Sequence, residues 1–232
     1  MSGMAPAQEP GRQQQNADGS SVDQLDFLDL LYAVPVGDLA MRVSGAELGR
    51  VSAADWSALA VILATIVFSW IGLHKDRAAM DDKTHRRGPI GKLPFFGMQF
   101  PQFLDQIAII GAYFAMGLFL KLPTGQDPAV RQPAEGWLTG LLLVIFGLYL
   151  VWDLFDMCLA WPSLTNKPPG PWFEPAWRGA LVTTGFLVIA GILFAVTLGV
   201  HPQPVALNVI LCVFLYAYRV AQDKLGNCAY GG

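Results

Sequence analysis

Residues 137–160 read WLTGLLLVIFGLYLVWDLFDMCLA, with no charged side chain before Asp153. The hydrocarbon core of a bilayer is about 30 Å thick, and about 20 helical residues cross it. This stretch is long and apolar enough to read as a transmembrane helix. Four others read the same way: 56–73, 102–121, 178–200 and 205–222. Trp56, Trp70, Trp137, Trp161 and Trp177 fall near the ends of these runs, where interfacial tryptophans anchor a helix.

A sixth run, 25–43, is interrupted by Asp29, Asp38, Arg42 and Pro35. Charges are expensive in lipid, so its alternative is an amphipathic helix lying at the interface. The expected fold is therefore all-α: a polytopic transmembrane helical bundle of six spans, or five without the first. It would occupy residues 23–224, between a flexible polar tail (1–22) and a short C-terminal tail (225–232). The polar tail 1–22 holds no apolar core of signal-peptide length.

Composition agrees with that class. Apolar residues make up 53% of the chain and charged residues 14%. A soluble domain carries about a quarter charged residues. A net charge of −3 gives no reason to expect a nucleic-acid partner. Cys158, Cys212 and Cys228 make neither a disulfide framework nor a C-x-x-C pair. The scattered His74, His85 and His201 suggest no haem or zinc site, so neither a cofactor nor a metal is expected.

Basic residues orient the spans. With six spans and both termini in the cytoplasm, eleven Lys and Arg fall inside and four (Arg42, Arg50, Lys121 and Arg131) fall outside, as the positive-inside rule requires. The inner loop 74–101 carries most of that bias. It reads as a topology determinant, and more sharply as a contact for anionic lipid headgroups through Lys83, Arg86 and Arg87.

Depth then sorts the polar residues. Asp26 and Asp29 in span one, Asp105 in span three, and Asp153 and Asp156 on one face of span four all come to the cytoplasmic level. Arg219 and Asp223 join them from span six, with Arg219 as counter-ion to the acids. An acidic, water-accessible vestibule follows from the cost of leaving carboxylates in lipid. The alternative for Asp153, Asp156 and Asp223 is a place beyond the hydrocarbon edge. Toward the outer side, Asp38 and Arg42 are four residues apart and can pair. Pro35 should kink span one, and Gly37 should let a neighbouring backbone approach.

FLDLLYAV at 27–34, continuing through Leu39 to Arg42, resembles the first helix of the low-temperature-requirement A membrane proteins. It is more distantly similar to the lysosomal and bacterial potassium channels that carry Phe-Ser-Asp in helix one and Trp and His late in helix two. Phe27 and Asp29 match the first motif; Trp70 and His74 in FSWIGLHKDR match the second. Leu28 stands where the channels have Ser, and the upstream Arg is absent. The resemblance implies a helical bundle that oligomerises about helix one and conducts cations.

Enzyme signatures are missing. Asp153-x-x-Asp156 is similar to the metal-binding pairs of intramembrane transferases, but the further acids and Gly-rich context are absent. No H-E-x-x-H, G-x-S-x-G or P-loop pattern occurs. The sequence reads as a non-catalytic, multi-pass plasma-membrane protein, an oligomeric cation channel or transporter with Phe27, Asp29, Pro35, Gly37, Asp38 and Arg42 along its pathway. The alternative is a scaffold or accessory subunit that binds a partner membrane protein through helix one.

Overall fold

Six helices follow one another: α1 Gln15–Ser44, α2 Ala53–Lys83, α3 Gln99–Phe119, α4 Trp137–Ala160, α5 Phe173–Val200 and α6 Pro204–Ala221. They are seen in a computed structural model that describes residues 15–83, 99–120, 122–123, 136–160 and 173–226. No strand occurs among the described residues. The described fold is thus all-helical.

Local chemistry explains where the helices begin and end. Ser52 caps α2: its hydroxyl accepts from the Asp55 amide at 3.2 Å, while the Asp55 carboxylate accepts from the Ser52 amide at 3.0 Å. This reciprocal pair is a capping box, which satisfies two amides that a helix start leaves without partners. Residues 201–203 turn α5 into α6. His201 takes a left-handed conformation (φ 50°), as residues ending helices often do. Pro204 opens α6, where a missing N–H costs nothing. Gly136 (φ 77°) precedes α4, and a Cβ there would come within 3.2 Å of Leu198. Only glycine fits on both counts.

Two helices are longer than their apolar runs. α2 continues past His74 to Lys83 through KDRAAMDDK, which contains no glycine or proline to stop it. α1 begins at Gln15, inside the stretch expected to be a tail, because each residue added to a formed helix costs only its own ordering.

Among the described residues, four helices contain segments long and apolar enough to cross a membrane: Ala53–Lys75, Trp137–Phe155, Trp177–Val200 and Pro204–Leu225. The apolar part of α3, Leu104–Phe119, is shorter, and α1 carries its charges.

α4 packs along α5 and α2 along α6, while α3 lies against α4 and α1. Tyr113, Phe146, Ile62, Ile109 and Met116 are fully buried between them. An aromatic cluster joins α4, α5 and α6. The Phe146 ring centroid is 4.8 Å from Tyr218 and 5.1 Å from Phe214, and Phe186 is 5.2 Å from Phe214. Such contacts contribute about 0.5–1.5 kcal/mol each beyond burial.

The outer surface carries many large apolar side chains. Val188, Ile192, Val209 and Val213 are each more than half exposed. A water-soluble monomer rarely displays so continuous an aliphatic surface. Together with four membrane-length helices, it is compatible with an integral membrane protein.

Candidate functional site

The bundle has a polar end. It is where α2 finishes and α3 begins, so the N-terminal half of α1 and the C-terminal halves of α4 and α6 also lie there. All six helices contribute to a layer of hydrogen bonds and ion pairs at this level.

α1 and α2 meet at Asp29. Its Oδ1 accepts from Trp70 Nε1 at 3.0 Å and lies 3.3 Å from His74 Nε2. Trp70 and His74 are one turn apart on α2, so they share a face. Their rings meet edge to face at 4.3 Å. One turn along α1, Tyr32 is buried. Its hydroxyl donates to Gln106 Oε1 of α3 at 3.1 Å and lies 3.2 Å from Ser69 Oγ of α2. Tyr113 of α3 then reaches Tyr149 of α4, hydroxyl to hydroxyl at 3.0 Å.

A second knot ties α4, α5 and α6. The Thr183 hydroxyl donates to the Asp153 carboxylate and lies 3.1 Å from the Tyr218 hydroxyl. Gln222 Nε2 donates to Thr183 Oγ1 at 2.7 Å and to the Tyr218 hydroxyl at 3.1 Å. Tyr218 and Gln222 are one helical turn apart, which brings both to the same face.

Charged groups close the layer. Asp223 lies 2.9 Å from Arg219 Nη2 and 2.7 Å from Lys75 Nζ. Gly72 makes room for the guanidinium: a Cβ at that position would be 2.9 Å from Arg219 Nη1. Arg219 thus takes Asp223, on its own helix, as its ion-pair partner. Asp153 engages Thr183.

Asp105 remains. It is 7% exposed, and its Oδ2 has no hydrogen-bond partner among the described residues. Nε of Arg219 is likewise buried without one, and its Nη2 meets Asp223 as an ion pair outside hydrogen-bond alignment. Unsatisfied buried polar atoms cost free energy, and far more when charged. Asp105 Oδ2 and Arg219 Nε are thus among the unsatisfied buried groups of the layer.

The other residues singled out from the sequence lie apart. Asp38 and Arg42 pair at 2.6 Å in the opposite half of α1. Pro35 is buried within α1, which continues as helix on both sides. Against expectation, no neighbour among the described residues approaches Gly37, where a Cβ would meet nothing within 4 Å. The close approach is instead at Gly117 of α3, whose Cβ position lies 3.3 Å from Asp38 Oδ2. The side chains of Phe27, Lys83 and Asp156, and Arg86 and Arg87 altogether, lie outside the described residues. Among those described, no three His, Cys, Asp or Glu side chains converge as metal ligands.

Tyr32, Ser69, Gln106, Tyr149, Thr183 and Gln222 belong to the layer without being among the residues that the sequence marks out. The available signal is a polar atom close along the chain to a marked charge: Tyr32 after Asp29, Gln106 beside Asp105, Tyr149 before Asp153.

Compared with known proteins, the chain matches no family model, no curated protein and no solved structure.

Proposed function

We propose that the chain is an integral membrane protein whose polar layer is a water-accessible vestibule, and that it passes a charged solute as a cation channel or transporter. The observation that carries this reading is Asp105, a buried carboxylate with an unpartnered oxygen. In a membrane such a group is stabilised by facing water or an ion within the bundle. The distribution of Lys and Arg favours placing this end in the cytoplasm of a plasma-membrane protein, with the basic 74–101 stretch against anionic headgroups. Contact of Asp29 with both Trp70 and His74 supports the family resemblance, because it joins the two segments that carry it.

Reconstitution tests the reading. Purified protein in liposomes should pass sodium, potassium or protons above the rate of empty vesicles. Asp105→Asn, which keeps the side-chain shape and removes the charge, should lower that rate by about tenfold, the equivalent of one charged hydrogen bond. Wild-type protein that passes none of the three leaves the channel reading without support.

A second reading is favoured by the outward face of α1. Leu30 and Met41 are 63% and 69% exposed, and Gly37 on that helix has open space around it. Small residues let another helix pack closely in a bilayer, so α1 would dock a second copy or a partner membrane protein. Cross-linking through a cysteine placed at Gly37 would capture that neighbour, and an uncross-linked monomer in native membranes would count against it.

A further inference from the structure

Asp105 Oδ2 is a buried carboxylate oxygen with neither a hydrogen-bond donor nor a paired cation among the described residues. α3 packs against α1, α2 and α4, and the ionisable groups described at this level on those helices are engaged elsewhere. Asp29 takes Trp70 and His74, and Tyr32 takes Gln106. Lys75 takes Asp223, as Arg219 of α6 does. Tyr149 pairs with Tyr113 of α3 itself, and Asp153 accepts from Thr183.

The number of ligands a cation needs decides what can fill Asp105. A sodium or potassium ion leaves water only where several oxygens replace its hydration shell, and divalent ions demand six or more ligands. Among the described residues the layer offers no such shell. The side-chain oxygens of Asp29, Gln106, Tyr149 and Asp153 already hold neighbours, and no three His, Cys, Asp or Glu side chains converge. α3 runs as helix from Gln99 to Phe119, so the carbonyls beside Asp105 are bonded within it. A proton needs one oxygen, and it removes the buried charge on arrival. Carboxylates inside membrane bundles serve as proton relays for this reason.

We infer that the cation taken by this layer is a proton, held on Asp105 Oδ2. The inference deepens the proposed function and rests on its premise that water reaches the layer. Uptake turns the carboxylate into a neutral carboxyl and release restores it, so no second reactant is consumed. Asp105 is then the proton-carrying side chain, and sodium and potassium are not bound there.

Two measurements on the full chain test it. In liposomes, an internal pH-sensitive dye should report proton entry down a pH gradient. Sodium and potassium flux, followed in separate vesicles, should stay at the level of empty liposomes. Asp105→Asn should lower proton flux by about tenfold or more, the equivalent of one charged hydrogen bond, and Asp105→Glu, which keeps a carboxyl, should restore most of it. Independently of flux, infrared difference spectra between acid and neutral pH should show the carbonyl band of a protonated carboxyl that Asp105→Asn removes. Should Asp105→Asn fail to fold, a displaced band in Asp105→Glu makes the same assignment. Sodium or potassium flux that Asp105→Asn abolishes overturns the inference and leaves the vestibule reading standing. Absence of flux for all three ions removes the channel reading, and the infrared band then decides the proton site by itself. No band assigned to Asp105 overturns the inference whatever the flux.

Discussion

Arg219 sits between a glycine and an aspartate, and each contact makes a separable demand. Gly72→Ala would set a methyl 2.9 Å from the present place of Arg219 Nη1. The guanidinium is the end of a flexible side chain and can move, but only by giving up its place beside Asp223. The expected loss is about 1 kcal/mol, in the range of mild overpacking, read as a lower unfolding midpoint in detergent. Arg219→Leu should cost more, about 2 kcal/mol, because a partly buried acid loses the more buried of its two cations. Asp223 would keep only the half-exposed Lys75. In double-mutant cycles, Arg219 should couple to Asp223 more strongly than to Asp105. Equal coupling to both would mean that the ion pair is not the one described. From sequence, Arg219 and the acids are legible as one level of the bundle. Their pairing is not: residues 219 and 223 are neighbours on a helix, whereas choosing among acids on other helices requires knowing which faces meet.

At the scale of helices, Tyr32 ties α1 to the bundle through a hydroxyl that serves Gln106 and Ser69 on two different helices. Tyr32→Phe keeps the ring and should destabilise by about 1–2 kcal/mol, the cost of leaving a buried polar group without its donor. The group left is Gln106, which is buried. Hydrogen exchange should quicken in α1 before α4 or α5; a uniform change along the chain would contradict this. Gly117→Leu should push α1 away from α3, as its Cβ position is already 3.3 Å from Asp38. The helices themselves are legible because long apolar runs admit one reading. Small residues are legible as places of close approach in general, but Gly37 was expected to provide it and Gly117 does. A glycine records that a neighbour can come near, and the neighbour decides whether it does.

For the whole molecule, the controlling feature is a surface rich in exposed aliphatic side chains around four membrane-length helices, with side-chain hydrogen bonds and ion pairs from all six helices meeting at one level. The protein should stay with the membrane fraction through an alkaline carbonate wash and be released only by detergent. Composition makes the membrane class readable at once, and the level of the charges can be read from span order. The hydrogen-bonded network of Tyr, Thr, Ser and Gln is not readable in the same way. Hydroxyl side chains also occur singly in helices with the polar atom turned back to the backbone, as Thr65 does here. The central claim is that this end of the bundle admits water to Asp105 while the aliphatic face meets lipid. Cysteine labelling tests it most directly. In a variant without Cys158, Cys212 and Cys228, single cysteines would replace Asp105 or Val144, an outward-facing residue of α4 that is 53% exposed. Sealed vesicles would then receive a membrane-impermeant maleimide from one side at a time. The account predicts labelling at 105 from one side only and none at 144 from either. Protection of 105 from both sides, or equal labelling of 144, would contradict it.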